Sequence, residues 1–555
     1  MRHWERKLAL LFLAGMAVMG LAALPSTVGT GSSEAVQSSM QNCPEAGKWS
    51  IAVWNGPPDI PIADALETCA SVEVEAAYSI NLETQIWSRY FAGRPEMSTL
   101  TAVDEMQGVL ALGGAARSMI LQLGNRLPET ALETKRSNEL EDNRIAVLRD
   151  GLWEDVASAW EPYLDRQVQD LGVKRLRLSV QHLDGSRVNW SKPELAIDPG
   201  YDDLITHLAQ SGITITFVLV FWDTANHPEG WGEISSRFKT EEEIQRYLEF
   251  VRFIVHHFKD RVRYFEIWNE PDNDAIPVQY IEVADYINLV KRTVPVIRQE
   301  YPQARIVVGS TAYLLHAKHY DYLFSIIRSE IMPLVDVVAS HPMYATSPQY
   351  EAHREYYYEY PGIVQDIKDT ASAHGFEGEY EADEITWRVP ETELEDFPLP
   401  NVYSDTVAAK YFARGIVMHL GMDVTVGNVQ PTDEQPSSRL VLGNLCSVMA
   451  GNKPSDLAAQ VQSEATNIKS YGFSLPNGDR LFALWTDGVA VDDDRGVDVT
   501  LTFTGFSDKK AIGIDVLNGF EQQLITDVQG GDLVVRDLLV KDYPIILRLT
   551  PAEAP

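Results

Sequence analysis

The stretch Tyr264-Phe265-Glu266-Ile267-Trp268-Asn269-Glu270-Pro271-Asp272 joins a short apolar strand to a polar tip that ends in a carboxylate and a proline. Parallel strands are buried on both faces, so their middles read apolar. An α/β barrel places its chemistry at the C-terminal ends of such strands. The run therefore predicts a strand that delivers Asn269 and Glu270 to a barrel mouth walled by Trp268. A Glu there stays protonated near neutral pH only if desolvation or a neighbouring negative charge favours its neutral form. A second carboxylate is therefore expected at the end of another strand.

Outward from this stretch, apolar strand-like runs alternate with amphipathic helices. The runs are Ile145–Leu148, Arg175–Val180, Ile213–Phe221, Val262–Trp268, Arg305–Gly309, Val335–Ser340, Glu379–Glu384 and Asp423–Gly427. Strand–helix alternation implies βαβ units and a parallel sheet. Eight such units imply a closed (β/α)8 TIM barrel. Between Thr240 and Lys259 the apolar residues Ile244, Tyr247, Leu248, Val251, Ile254 and Val255 fall at helical spacing with one buried stripe. Trp160, Leu164, Val168 and Leu171 predict another helix between Val156 and Leu171. A doubly wound open sheet is the alternative, but no Gly-rich phosphate fingerprint follows any run.

The rhythm changes at both ends. Beyond residue 460, short runs separated by Asn477-Gly478 and Asn518-Gly519 predict hairpins in an antiparallel β-sandwich over 460–555. The run Asp492-Asp493-Asp494 reads as a solvated loop, with a calcium loop as the alternative. Residues 40–115 carry their own aromatics and read as a small α+β module, and 140–455 as the barrel. Residues 1–35 read as signal and tether: Met1 to Lys7 is basic, and Leu8 to Leu24 is apolar. An exported protein with no stable membrane insertion after cleavage is expected, an uncleaved anchor being the alternative.

Composition narrows the partners. The chain has 555 residues and a formal net charge of −34, which repels nucleic acid and anionic membrane surfaces. Of the three cysteines, Cys43 and Cys69 lie in the small module and are either bonded or free thiols, while Cys446 reads as core. No Cys/His cluster has metal-ligand spacing, and neither a metal nor a cofactor is expected.

The segment Phe265-Glu-Ile-Trp-Asn-Glu-Pro271 resembles the strand-four motif of the clan A glycoside hydrolases, above all family 39 and its exopolysaccharide-degrading relatives. The resemblance covers about Leu148 to Ser447, and the sandwich more loosely. It implies a secreted, retaining O-glycoside hydrolase acting on a β-linked oligo- or polysaccharide. Glu270 would be the acid/base and Asn269 would hold a sugar hydroxyl. The nucleophile of that family precedes a Glu-x-Gly-Trp-like step, which Glu384-Ile385-Thr386-Trp387 matches with Thr in place of Gly; Glu381 is the alternative. Arg177 among leucines needs a carboxylate partner, and Glu384 is a candidate; Arg175 is the alternative arginine. His341 and Tyr344 match a family His and Tyr after strand six, the Tyr donating to the nucleophile. Trp222 and Asp223, with His227 and Trp231 beyond, follow strand three, where aromatics stack on sugars or pack a lid. Trp268 and Trp387 are expected to bind substrate. Strand eight ends in Thr425-Val-Gly-Asn428, without the Trp many relatives carry.

The small module resembles one that recurs in bacterial cell-surface proteins, carried here by Trp49, Trp54, Gly56, Ala63-Asp64-Ala65-Leu66, Trp87 and Tyr90. That likeness implies surface association. A non-catalytic glycan-binding or adhesion protein on the same barrel, and a transglycosylase, are the competing functional readings.

Overall fold

The computed structural model describes residues 39–44, 47–69, 74–81, 84, 86–94, 97–113, 123–124, 129–148, 165–179, 195–197, 199–221, 223, 236–275, 279–390, 401–429, 431 and 433–552. The expected signal and tether, the loop carrying Trp222, His227 and Trp231, and most of the helix between Val156 and Leu171 lie outside the described residues. No helix among the described residues is long and apolar enough to cross a membrane. The chain divides into two compact units, Met1–Ile120 and Leu121–Pro555.

In the first unit an antiparallel sheet runs in the order Ser39–Gln41, Trp49–Asn55, Gly108–Gly113, Val74–Ile80, Trp87–Phe91. One face packs Ala52, Trp54, Val109 and Ala111 against Ile62, Ala65 and Leu66 of the helix Ile62–Glu67. Cys43 and Cys69 are joined in a disulfide beside that helix.

The second unit is built on eight parallel strands: β1 (Ile145–Leu148), β2 (Arg175–Ser179), β3 (Thr214–Val218), β4 (Tyr264–Glu266), β5 (Arg305–Thr311), β6 (Val337–Ser340), β7 (Glu379–Thr386) and β8 (Thr425–Val429). Each pairs with the next, β8 pairs with β1, and the sheet closes on itself. The open-sheet alternative is excluded by that closure. Helices α1 (Pro199–Gln210), α2 (Glu241–Phe258), α3 (Val283–Glu300), α4 (Ala317–Ile327), α5 (Glu351–Ala373), α6 (Asp405–Gly421) and α7 (Pro436–Val448) accompany the strands.

Helix α2 shows how the pattern works. Thr240 caps it, its hydroxyl accepting from the Glu243 amide at 3.2 Å. Three acids fill the first turn and two histidines the last, which suits the helix dipole. Ile244, Tyr247, Leu248, Val251, Ile254 and Val255 are all buried. Each contributes about 1.5–3 kcal/mol by leaving water, and Ile254→Ala would cost ~2–5 kcal/mol.

Antiparallel sheets of seven and four strands accompany the barrel, and the rings of Phe482 in one and Phe503 in the other lie 5.3 Å apart. The larger sheet takes its edge from Glu129–Ala131, a strand that precedes the barrel in sequence and pairs with Phe520–Gln522. Arg414 of α6 fastens barrel to sheets by donating to the carbonyls of Asp542, Gly488 and Thr486. Asp492 and Asp494 accept from Ser404 and the Asp542 amide, so protein donors occupy both carboxylates.

Candidate active site

Strand β4 stops at Glu266 and the chain turns sharply. Trp268 and Glu270 have φ of +72° and +42°, and Ser310, at the irregularity in β5's pairing between Gly309 and Thr311, has +41°. Such backbone costs on the order of 1–3 kcal/mol per residue and persists only where surrounding contacts hold it. Here the Glu270 amide donates to the Ser310 carbonyl at 2.9 Å. Asp272 accepts from the Ala312 amide and faces His319, both buried.

Trp268 corrects an expectation. It is fully buried against Phe238 and Tyr247, with Arg237 over its ring and its indole N–H donated to the Gln279 carbonyl at 2.7 Å. It therefore offers no face to a ligand and instead fixes the turn from behind. Trp387 is likewise 2% exposed, donates to the Thr346 carbonyl, and lies so close to Gly415 of α6 that a methyl there would sit 2.7 Å from its ring. An aromatic at a strand end reads the same from sequence whether it faces the mouth or the helices. Asp223 is buried and bonds Arg246 of α2 at 2.6 Å.

Arg177 of β2 gathers the interior. Its Nε and Nη2 donate to both oxygens of Glu266 at 2.7 and 2.6 Å, Nη2 also to Asn269 Oδ1 at 2.7 Å, and Nη1 to Glu384 Oε1 at 2.7 Å. Because guanidinium only donates, the Asn269 amide must present its oxygen to Arg177. Tyr344 donates to the other Glu384 oxygen and lies 3.3 Å from His341 Nδ1. His341 Nδ1 is 3.0 Å from Glu270 Oε1, while Asn273 and Gln279 donate to Glu270 Oε2 at 2.8 and 3.1 Å. One carboxylate oxygen each of Glu270 and Glu384 and a ring nitrogen of His341 all lie within 4.8 Å of one another.

Strand β7 reaches this arrangement through a bulge. Its pairing with β8 shifts register between Ala382 and Ile385, and Gly427 of β8 presses so closely that a Cβ there would be 2.4 Å from the Asp383 carbonyl. Strict alternation would set Asp383 and Glu384 on opposite sides. The extra residue re-aims the strand, and both carboxylates reach Arg177, Asp383 at 3.5 Å and Glu384 at 2.7 Å. Glu381 sits deeper, paired with Thr425 at the start of β8. Burial, with Asp383 nearby, pushes its carboxyl up to about 8, which leaves it neutral near pH 7 and a poor nucleophile. Arg175 is occupied by Asp142 at 2.7 Å.

The electrostatics of Glu270 also depart from expectation. Burial favours its neutral form, but the bond and charge of His341 outweigh it, and Glu270 is held below the usual carboxylate range. His341 is held well above the usual histidine range: burial opposes its charge, and Glu384, Asp383 and Glu270 overcome that.

Glu266, Asp383, Ser310, Asn273 and Gln279 complete the site without having been singled out from the sequence. Glu266 had a usable signal, a charge inside an otherwise apolar strand. Glu270, His341 and Glu384 form a group with metal-ligand spacing. Arg177 and the Tyr344 hydroxyl already donate to Glu384, and Asn273 and Gln279 to Glu270, which spends lone pairs a cation would need.

No protein-family model matches the chain, and no curated protein sequence does. Among solved structures, a family 39 glycoside hydrolase from the gut symbiont Bacteroides cellulosilyticus WH2 superposes with a TM-score of 0.53 at 13% identity, covering 93% of this chain and all of that one. A family 44 xyloglucanase from Paenibacillus polymyxa gives 0.48 at 10% identity over 76% of this chain and 100% of its own. A family 51 alpha-L-arabinofuranosidase from Bifidobacterium longum gives 0.47 at 13% over 77% and 98%. In fold, the chain is similar to the clan A glycoside hydrolases: a closed eight-stranded parallel barrel with a β-rich C-terminal region.

Proposed function

We infer that this protein is a retaining O-glycoside hydrolase that acts outside the cell on a β-linked oligo- or polysaccharide. The observation that carries the reading is the approach of Glu270 to Glu384, oxygen to oxygen within 4.8 Å. Retention needs carboxyl groups roughly 5–5.5 Å apart, whereas inversion needs about 6.5–9.5 Å to admit a water.

Glu384 attacks the anomeric carbon while Glu270 protonates the leaving oxygen. Glu270 then takes a proton from water as the water displaces the sugar from Glu384. Arg177 and Tyr344 hold the nucleophile ionised and in line through their bonds to its two oxygens. Asn269, fixed by Arg177, turns its amide N–H2 to a sugar hydroxyl.

A panel of aryl β-glycosides tests this against Glu270→Ala and Glu384→Ala. Each variant is expected to lose about 10³-fold or more in kcat/KM on substrates with poor leaving groups. Azide should rescue Glu384→Ala with a glycosyl azide of inverted configuration. Full activity in either variant, or an inverted sugar released by the wild type, sinks the proposal.

A further inference from the structure

His341 is fully buried between the two carboxylates, and the bonds of its ring are unequal. Nδ1 has Glu270 Oε1 at 3.0 Å and the Tyr344 hydroxyl at 3.3 Å. Nε2 has no hydrogen-bond partner among the described residues, and neither does the buried Oδ1 of Asp383. These two atoms face each other at 3.4 Å. Buried polar atoms without partners are rare, and these two answer one another. The other Asp383 oxygen accepts from Ser310 at 2.9 Å and faces Arg177, which fixes the carboxylate behind the ring.

We propose that His341 is the proton store for Glu270 and that Asp383 is the positioning residue that keeps the ring charged and oriented. The inference rests on Glu270 being the proton donor of the proposed glycosidase. At rest the imidazolium carries a proton on each nitrogen, and Glu270 is a carboxylate. As substrate enters, the Nδ1–H bond breaks and an O–H bond forms at Glu270 Oε1, leaving a neutral ring that donates Nε2–H to Asp383. The leaving oxygen then takes the proton from Glu270 as Glu384 bonds to carbon. In the second half, water gives a proton to Glu270 and its oxygen to the anomeric carbon, and Glu384 departs as carboxylate. Glu270 returns that proton to Nδ1. One proton leaves with the aglycone, one arrives from water, and the cycle closes.

The charges around the ring suit these steps. Facing His341 are Glu270 from the β4 turn, Asp383 and Glu384 from β7, and Tyr344 from its own segment, with Arg177 on the far side of the β7 acids. Once Glu384 is esterified, one of the anions that stabilise the imidazolium is gone, so the ring stays neutral while Glu270 acts as base. When Glu384 is released, the ring becomes the better proton holder again. Burial alone would discharge Asp383, but His341, Arg177 and Ser310 hold it below the usual carboxylate range.

The test is nitrogen-15 NMR of the full chain with labelled histidine, the His341 signals being those lost in His341→Gln. Both ring nitrogens are expected to be protonated in the wild type at pH 7. Asp383→Asn should lower the titration of His341 by about one pH unit or more. If Asp383→Asn does not fold, Glu270→Gln serves, since it removes another of the facing carboxylates and should also lower that titration. A neutral ring in the wild type at pH 7, or a titration that neither variant moves, overturns the inference. Kinetics supply an independent arm. In kcat/KM, which reports glycosylation alone, Asp383→Asn and His341→Gln should slow phenyl glycosides about 10-fold or more beyond any loss on dinitrophenyl glycosides, which need no protonation. Equal loss on both substrates overturns the relay. If Glu270→Ala is itself fully active on phenyl glycosides, the glycosidase reading fails; if it is slow and the other two variants are not, only the relay fails.

Discussion

Arg175 and Arg177 stand two residues apart on β2 and point into the same barrel, yet they live in different surroundings. Arg175 sits at the entry end of the strand and pairs with Asp142, whose side chain is 45% exposed. Arg177 is one layer nearer the mouth and meets Glu266 at 1% exposure and Glu384 at 12%, with its own side chain at 2%. The ion pairs have similar lengths and different physics. Water screens the first, and its loss is small. Desolvation is severe in the second, and only the full set of partners makes it tolerable. Depth along one strand therefore separates an anchoring pair from the centre of a site, and length of contact does not.

The comparison is sharpest under substitution. Arg177→Met should cost ~3–5 kcal/mol, because Glu266, Asp383 and Glu384 lose the cation they share. Urea unfolding measures this, and a cost no larger than that of Arg175→Met would break the contrast. Glu381 lies between the two layers and should respond to pH. Its carboxyl rises from its ordinary value of 4.5 to about 8 on folding. The folded state thus holds a proton that the unfolded chain has released between those values. The contribution of Glu381 to stability is full below about pH 4.5 and is lost as pH climbs to 8, by at most about 1.4 kcal/mol per unit. Glu381→Gln should flatten the slope and leave the variant more stable than wild type at pH 8, as a melting series would record; an unchanged slope would mean that another group sets it. Arg175→Met should have the smallest effect, about 1 kcal/mol in the same urea series, with activity on aryl glycosides within about two-fold of wild type.

The barrel was legible because a parallel strand flanked by an amphipathic helix leaves a periodic trace that survives without any contact being known. Glu270 was legible for a related reason: a polar residue at the end of an apolar run must emerge at the mouth. Glu384, Arg177, His341 and Tyr344 were singled out through the family resemblance instead. Trp268 and Trp387 were misjudged because a strand-end aromatic has two faces available to it, and local sequence does not choose between them. Asp383 was not singled out, and strict alternation would turn it away from Glu384; alternation fails at a bulge that Gly427 on a neighbouring strand allows. The edge strand Glu129–Ala131 was hidden by the whole barrel that separates it from its partner.

By itself the sequence determined the eightfold strand–helix rhythm, the β-rich C-terminal region and the two strands that bring carboxylates to one end. These follow from periodicity and from the burial demands of local segments. Only the tertiary structure decided which acids meet, which indoles turn inward, and that His341 stands between Glu270 and Asp383. Those outcomes depend on pairing registers and on the desolvation of charges brought together from β2, β4, β6 and β7, and no window of sequence contains all the partners.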